Sequence, residues 1–152
     1  MDDDSPWLDD RQQRFWRAWV ALEARLPAAT GRQLQAESGL SLQDFAVLVQ
    51  LSDSSDGRVR VTDLATSLGW ERSRLSHHVT RMVSRGLVQR AECCDDGRGA
   101  FVVVTPAGRA AIEEAAPGHA RTVRDLVFTS VGDEELEVLT RFTERVLSRL
   151  DG

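Results

Sequence analysis

The segment from Val61 to Gly108 constrains the fold most, because its hydrophobic spacing changes once, from that of helices to that of strands. A short helical run from Val61 stops at Gly69, where the chain is expected to turn tightly. A second helix is predicted from about Arg72 to Arg85, with one apolar stripe that faces a core. The stripe consists of Leu75, His78, Val79, Met82 and Val83.

The strand-like part of this segment is predicted to be a hairpin. Two β-prone runs, 87–91 and 101–104, flank a stretch that contains Asp-Gly and Gly-Arg-Gly. These residues tolerate the positive φ angles that hairpin turns require. Arg98 at the predicted tip has the length and permanent charge to enter a narrow minor groove, and Asp96 is placed to hold its guanidinium.

A helix, a turn, a helix with a cationic face and a hairpin form the layout of a winged helix-turn-helix. That fold places its second helix in the major groove of double-stranded DNA. Four residues early in this helix are expected nearest the bases: Arg72, Ser73, Arg74 and His77. Arg81 and Arg85 follow later in the helix and are expected to hold phosphates.

These residues resemble the MarR family of transcriptional regulators. Asp96-Gly97-Arg98 and Val104-Thr105-Pro106-Ala107-Gly108 are similar to that family's wing motif, with Val104 in place of the usual Leu. Trp70-Glu71 stands where a small residue and a Ser cap are more usual, so a different entry into the second helix is expected. The resemblance implies a homodimer that is most often a repressor released by small molecules.

The charge of the chain is divided by region. The whole chain has a net charge of -5, but residues 57–109 contain nine arginines and five acidic residues, a net charge of +4. The remainder carries -9. Such segregation places a cationic footprint on one face, as expected of a protein that binds nucleic acid.

The terminal regions are predicted to form helices that a winged helix does not itself need. Asp10 to Leu26 and Asp133 to Leu150 both have wide apolar faces. A helix from Thr105 to Val131 is expected to kink or break near Ala116, at Pro117-Gly118. A DNA site with two-fold symmetry is bound by a protein with two-fold symmetry. The terminal helices are therefore expected to form the interface of a homodimer that binds a pseudo-palindromic operator.

The predicted organisation is a single domain over residues 1–152, mainly α-helical with a small β-wing. Dimerisation helices are expected at 10–30 and 105–150, and the winged helix-turn-helix at 40–104. No apolar run approaches the roughly 20 residues that span a bilayer, and the acidic N-terminus does not resemble a secretory signal. A cytoplasmic protein without a membrane partner is expected.

Three aromatic residues, Trp16, Trp19 and Phe45, allow two interpretations. In the first, they pack in the dimer base, the part of the homodimer formed by the terminal helices. In the second, they line a pocket for a small, planar, anionic effector of aromatic or phenolic character. Arg14, Arg17 or Arg109 are candidates for a cation that such a ligand meets.

Other chemistry is disfavoured. Cys93 and Cys94 are surrounded by carboxylates, which raise a thiol pKa, so a redox sensor is only an alternative. The three histidines lack metal-ligand spacing, and no nucleophile or phosphate-loop motif is present. We therefore expect no metal, no cofactor and no enzyme activity. A redox- or metal-responsive regulator, or a winged-helix module that binds protein without binding DNA, remain the alternatives.

Overall fold

The structure of the chain, a computed structural model, describes residues 6–92 and 99–152. These residues form α1 (Asp10–Ser38), α2 (Leu42–Asp53), β1 (Arg58–Arg60), α3 (Val61–Leu68), α4 (Arg72–Ser84), β2 (Val88–Glu92), β3 (Ala100–Val104), α5 (Pro106–Val123) and α6 (Asp133–Leu150). The predicted wing tip with Arg98 and the pair Cys93 and Cys94 lie outside the described residues.

The prediction of a mainly helical winged helix-turn-helix is confirmed. The turn between α3 and α4 contains Gly69 in the left-handed region, with φ 63°. The wing strands belong to an antiparallel sheet with the order β1-β3-β2. Strand β1 was not predicted, because it has three residues and its partner, β3, lies far away along the chain.

The first helix is longer than predicted. It begins at a capping box of Asp9 and Gln12, passes through Pro27 and ends at Gly39, which has φ 69°. Proline removes one helical hydrogen bond. Beyond Pro27, however, the helix buries Thr30 and Leu34 against the rest of the protein, and this packing outweighs the local penalty.

Of the two expected outcomes at Pro117-Gly118, a kink or a break, the break is wrong. Helix α5 continues to Val123 and then widens into a π-helical turn at Arg124–Phe128. Gly118 is buried against α1, where its nearest neighbours are the ends of the Glu37 and Gln33 side chains. The close packing of α5 on α1 therefore overrides the local tendency of Pro-Gly to end a helix.

The wing is joined to α5 through Thr105 and Gly108. The Thr105 hydroxyl accepts a hydrogen bond from the Gly108 N–H at 3.0 Å and donates to the Gly86 carbonyl. A Cβ on Gly108 would overlap the Leu87 carbonyl. The Thr-x-x-Gly pattern therefore caps α5 and permits its close approach to the end of the helix-turn-helix.

The core lies under the helix-turn-helix and the sheet. Its fully buried side chains include Leu34, Leu48, Leu51, Leu64, Leu75, Val79, Met82 and Val102. Helix α6, in contrast, has no buried residue. Phe142 is its link to α1, through edge contacts with the rings of Phe15 and Trp19 at centroid distances of 5.4 and 6.0 Å. Among the helices described, none has both the length and the apolar character to cross a membrane.

Candidate nucleic-acid interface

Helix α4 separates its side chains into a buried face and an exposed face. Leu75, His78, Val79 and Met82 are buried. All six helix residues that the sequence predicted for DNA contact lie on α4 or directly after it, and all six are exposed: Arg72, Ser73, Arg74, His77, Arg81 and Arg85. The structure therefore keeps all six outside the buried face of α4.

The entry into α4 has a tight turn and no side-chain cap. After Gly69, the backbone N–H of Trp70 donates to the Ala65 carbonyl at 2.9 Å, which closes the end of α3. Glu71 is the N-cap of α4 and makes no side-chain capping hydrogen bond. The Arg74 guanidinium lies over the Trp70 ring, and the guanidinium carbon is 4.6 Å from the ring centroid.

A buried carboxylate anchors the other side of α4. Asp44, in the first turn of α2, accepts a hydrogen bond from the Ser41 N–H at 2.9 Å and one from Arg85 Nη1 at 2.6 Å. Arg85 Nη2 also donates to the Gly39 carbonyl at 3.1 Å. These bonds tie the end of α1 and the start of α2 to the end of α4.

The buried residue His78 completes this network. Its Nε2 lies 3.0 Å from Asp44 Oδ1, outside the angles of a hydrogen bond, so the attraction is electrostatic. Arg81 Nη2 lies 3.0 Å from His78 Nδ1. Because a guanidinium can only donate, Nδ1 of the neutral ring accepts, and the ring proton is assigned to Nε2, toward Asp44.

Ionisation of the network follows from its contacts. Burial removes the His78 ring from water and lowers its pKa, and the charges of Arg81 and Arg74 act in the same direction against the opposing effect of Asp44. Burial alone would raise the pKa of the Asp44 carboxyl. The hydrogen bonds from the Ser41 N–H and Arg85 outweigh it, so that pKa lies below its usual value.

Arg90 of β2 ties the wing to α4. Its Nη2 donates to the Ser76 carbonyl at 2.9 Å and lies within hydrogen-bond distance of the hydroxyls of Ser76 and Thr80. No role for Arg90, Asp44 or Trp70 was predicted from the sequence. The spacing of Ser41 and Asp44 does indicate a capping box, but a sequence pattern carries no signal for the partners across the fold.

The structure gives Arg85 contacts within the protein that were not predicted from the sequence. Its guanidinium is committed to Asp44 and Gly39. We therefore assign Arg85 to the packing of α4 and omit it from the proposed DNA contacts. Arg81 contacts His78, and its side chain is still exposed to solvent.

The aromatic residues predicted for a ligand pocket lie in two places. Trp16 is exposed, and Trp19 packs on Phe15 and Phe142 and donates from Nε1 to Glu23 at 2.7 Å. Phe45 is buried, and its ring centroid lies 4.5 Å from that of His119 on α5. One copy of the chain does not bring the three side chains together around one cavity.

A cleft lies next to the Phe45 and His119 pair. It has a volume of about 520 Å³ and is lined by His119, Ala120, Val123, Arg124 and Phe128. His119 Nδ1 is buried without a hydrogen-bond partner among the described residues, and burial lowers the pKa of this ring. Arg124 is exposed, and its guanidinium places a positive charge on the mostly apolar lining of the cleft.

Comparison with known proteins identifies relatives of the whole chain. The model of the MarR family matches residues 38–99. The HTH-type transcriptional repressor YetL of Bacillus subtilis is 27% identical over 115 residues, which are 76% of this chain and 68% of that protein.

Two solved structures from Streptomyces coelicolor are similar over nearly the full length. AbsC, a MarR family transcriptional regulator, has a TM-score of 0.92 and 35% identity, with 97% of this chain and 99% of AbsC covered. Sco3205, a MarR family transcriptional regulator in complex with DNA, has a TM-score of 0.92 and 34% identity, with 96% and 92% covered.

The buried histidines predict how stability depends on pH. The pKa values of His78 and His119 lie below the usual 6.5, so below that pH the unfolded chain binds more protons than the folded chain. We expect the free energy of unfolding to fall from about pH 7.5 to about pH 5.5 in urea titrations. His78→Gln and His119→Gln should each make this dependence shallower.

The exposed residue His77 provides the control, as His77→Gln removes one histidine without touching the Asp44 network. An unfolding free energy that falls equally steeply in the parent, His78→Gln and His119→Gln would contradict this account.

Proposed function

The chain belongs to the MarR family of transcriptional regulators, and we propose that it is a homodimeric repressor that reads a pseudo-palindromic operator with α4. The family and its relatives are regulators rather than enzymes. One observation carries the proposal. Three exposed guanidiniums of α4, those of Arg72, Arg74 and Arg81, have no carboxylate partner in the described parts of the chain.

The proposed roles follow from position on α4. Arg72, Ser73, Arg74 and His77 lie in its first two turns, the part of a recognition helix that meets base edges. Arg81 lies further along and is assigned to a phosphate, which fixes register without reading sequence. Arg98 is assigned to the minor groove on its sequence position alone. The DNA-binding region is proposed to span residues 40–104. The protein is proposed to act in the cytoplasm.

The proposed dimer interface is the apolar surface of α1 and α6. Large apolar side chains on these helices are between 40% and 76% exposed: Phe15, Trp16, Val20, Leu22, Leu136, Val138, Leu139, Leu147 and Leu150. Many exposed large apolar side chains on two helices are a feature of association sites. A second copy packed there in two-fold symmetry would space two α4 helices for successive major grooves, about 34 Å apart.

The proposed effector is a small, planar, anionic aromatic molecule that binds in the cleft beside α5. Arg124 offers a cation, while Phe128 and Val123 offer apolar wall. Phe45 touches His119 at the cleft and is the chain neighbour of Asp44, which holds α4. Trp16 and Trp19 are assigned to the dimer base. Such a ligand releases DNA only if it binds the two arrangements of α4 unequally.

The proposed DNA contacts predict two distinct defects. A preferred duplex is first selected from a random library, and affinities for it and a scrambled duplex are measured by fluorescence anisotropy across salt concentrations. Arg74→Ala should weaken the selected duplex alone, by about 1–3 kcal/mol, and Arg81→Ala should weaken both duplexes and reduce the salt slope by about 1. Arg121→Ala, an exposed arginine of α5, is the control. Parent protein that binds no duplex would refute the proposal.

The proposed interface predicts a change of mass. Leu139→Glu places a charge in the apolar surface of α6, so sedimentation should show the 16.9 kDa monomer in place of a particle of twice that mass. Ser148→Glu adds the same charge on the opposite side of α6 and should leave the dimer intact. If the parent sediments as a monomer, the assigned interface is wrong.

The proposed effector site predicts ligand-dependent release. Simple aromatic acids and phenols, with benzoate and 4-hydroxybenzoate first, are titrated into the protein bound to its selected duplex. At least one should weaken DNA affinity by roughly 5- to 150-fold, and Arg124→Ala should abolish that effect while leaving DNA affinity without ligand unchanged. Release that persists undiminished in Arg124→Ala would place the effector elsewhere.

A further inference from the structure

Trp70 occupies the turn between α3 and α4 in an unusual setting. Its backbone is held by the hydrogen bond to Ala65, and its half-buried ring packs against the core. The Arg74 guanidinium lies over that ring, and the ring of His78 meets it edge-on, with centroids 5.6 Å apart and planes at 87°. Arg74 and His78 are one helical turn apart, so one side of α4 rests on Trp70.

We propose that Trp70 is a positioning residue for DNA reading, which holds the Arg74 guanidinium in one orientation at the surface of α4. The inference rests on the proposed function, since it assumes that Arg74 meets a base edge. Trp70 itself is not assigned any contact with DNA.

The chemistry of the contact supports this role. A guanidinium above an aromatic ring is attracted through its face, and tryptophan is the best ring for this interaction. The N–H donors of the guanidinium lie at the edge of its plane, so they stay available for the O6 and N7 acceptors of guanine. A long arginine side chain that is already held loses less rotamer freedom when it docks. Trp70 therefore prepares Arg74 before DNA arrives.

The surrounding charges leave Arg74 dependent on this ring. Arg81 and Arg85 lie along the same groove, and the buried Asp44 carboxylate there is already engaged by Arg85 and His78. In the described residues, Arg74 forms no ion pair with a carboxylate. The ring is thus the contact that restrains its guanidinium.

A double-mutant cycle on base discrimination tests the role. Parent, Trp70→Leu, Trp70→Phe, Arg74→Ala and the double variant Trp70→Leu with Arg74→Ala are compared on the selected duplex and on its single base-pair variants. Trp70→Leu should weaken the selected duplex by roughly 3- to 10-fold and lose discrimination at the same base pair as Arg74→Ala. Trp70→Phe, which keeps a ring, should retain most of the discrimination, and the double variant should bind no worse than Arg74→Ala.

A purely structural role for Trp70 predicts a different result. Trp70→Leu would then weaken all duplexes alike, its effect would add to that of Arg74→Ala, and our inference would be overturned. A measurement without DNA separates this failure from failure of the proposed function. In NMR spectra of the parent, the Trp70 ring should shift the Arg74 side-chain protons upfield, and Trp70→Leu should remove that shift. Unshifted Arg74 protons in the parent would also overturn the inference.

Discussion

The buried carboxylate of Asp44 connects three parts of the molecule whose arrangement decides where α4 lies. It caps α2 through Ser41, pairs with Arg85 after α4 and faces His78 within α4. A buried charge is tolerated only where it has partners. Here Oδ2 accepts the hydrogen bonds from Ser41 and Arg85, and His78 lies 3.0 Å from Oδ1. The placement of α4 against α1 and α2 therefore depends on electrostatics at one point as well as on apolar packing around it.

The parts of the fold set by local interactions could be predicted from the sequence. Hydrophobic spacing and Gly69 located α3, the turn and α4, and the predicted start of α4 at Arg72 is where the helix begins. The β-prone runs on both sides of the wing correspond to β2 and β3. These features depend on near neighbours in the chain, which a single sequence displays.

The parts that depend on distant contacts could not be predicted. Strand β1 exists because β3 pairs with it, and α5 passes Pro117 because Gly118 fits against α1. The sequence predicts that Arg85 is an exposed cation. In the structure it pairs with Asp44, which is 41 residues away along the chain. The sequence marked Trp70 as unusual, but only the structure shows Arg74 and His78 around its ring.

The widened turn at Arg124–Phe128 changes the direction in which the chain leaves α5. Each residue of an α-helix rotates the chain by about 100°, so accommodating extra backbone in one turn rotates the next segment about the helix axis. Helix α6 begins at Asp133, after four residues that are not helical, so this local change in winding lies where the chain departs from α5 toward α6. Loss or gain of a single residue in this turn would therefore redirect the chain before α6 without altering any residue of α6.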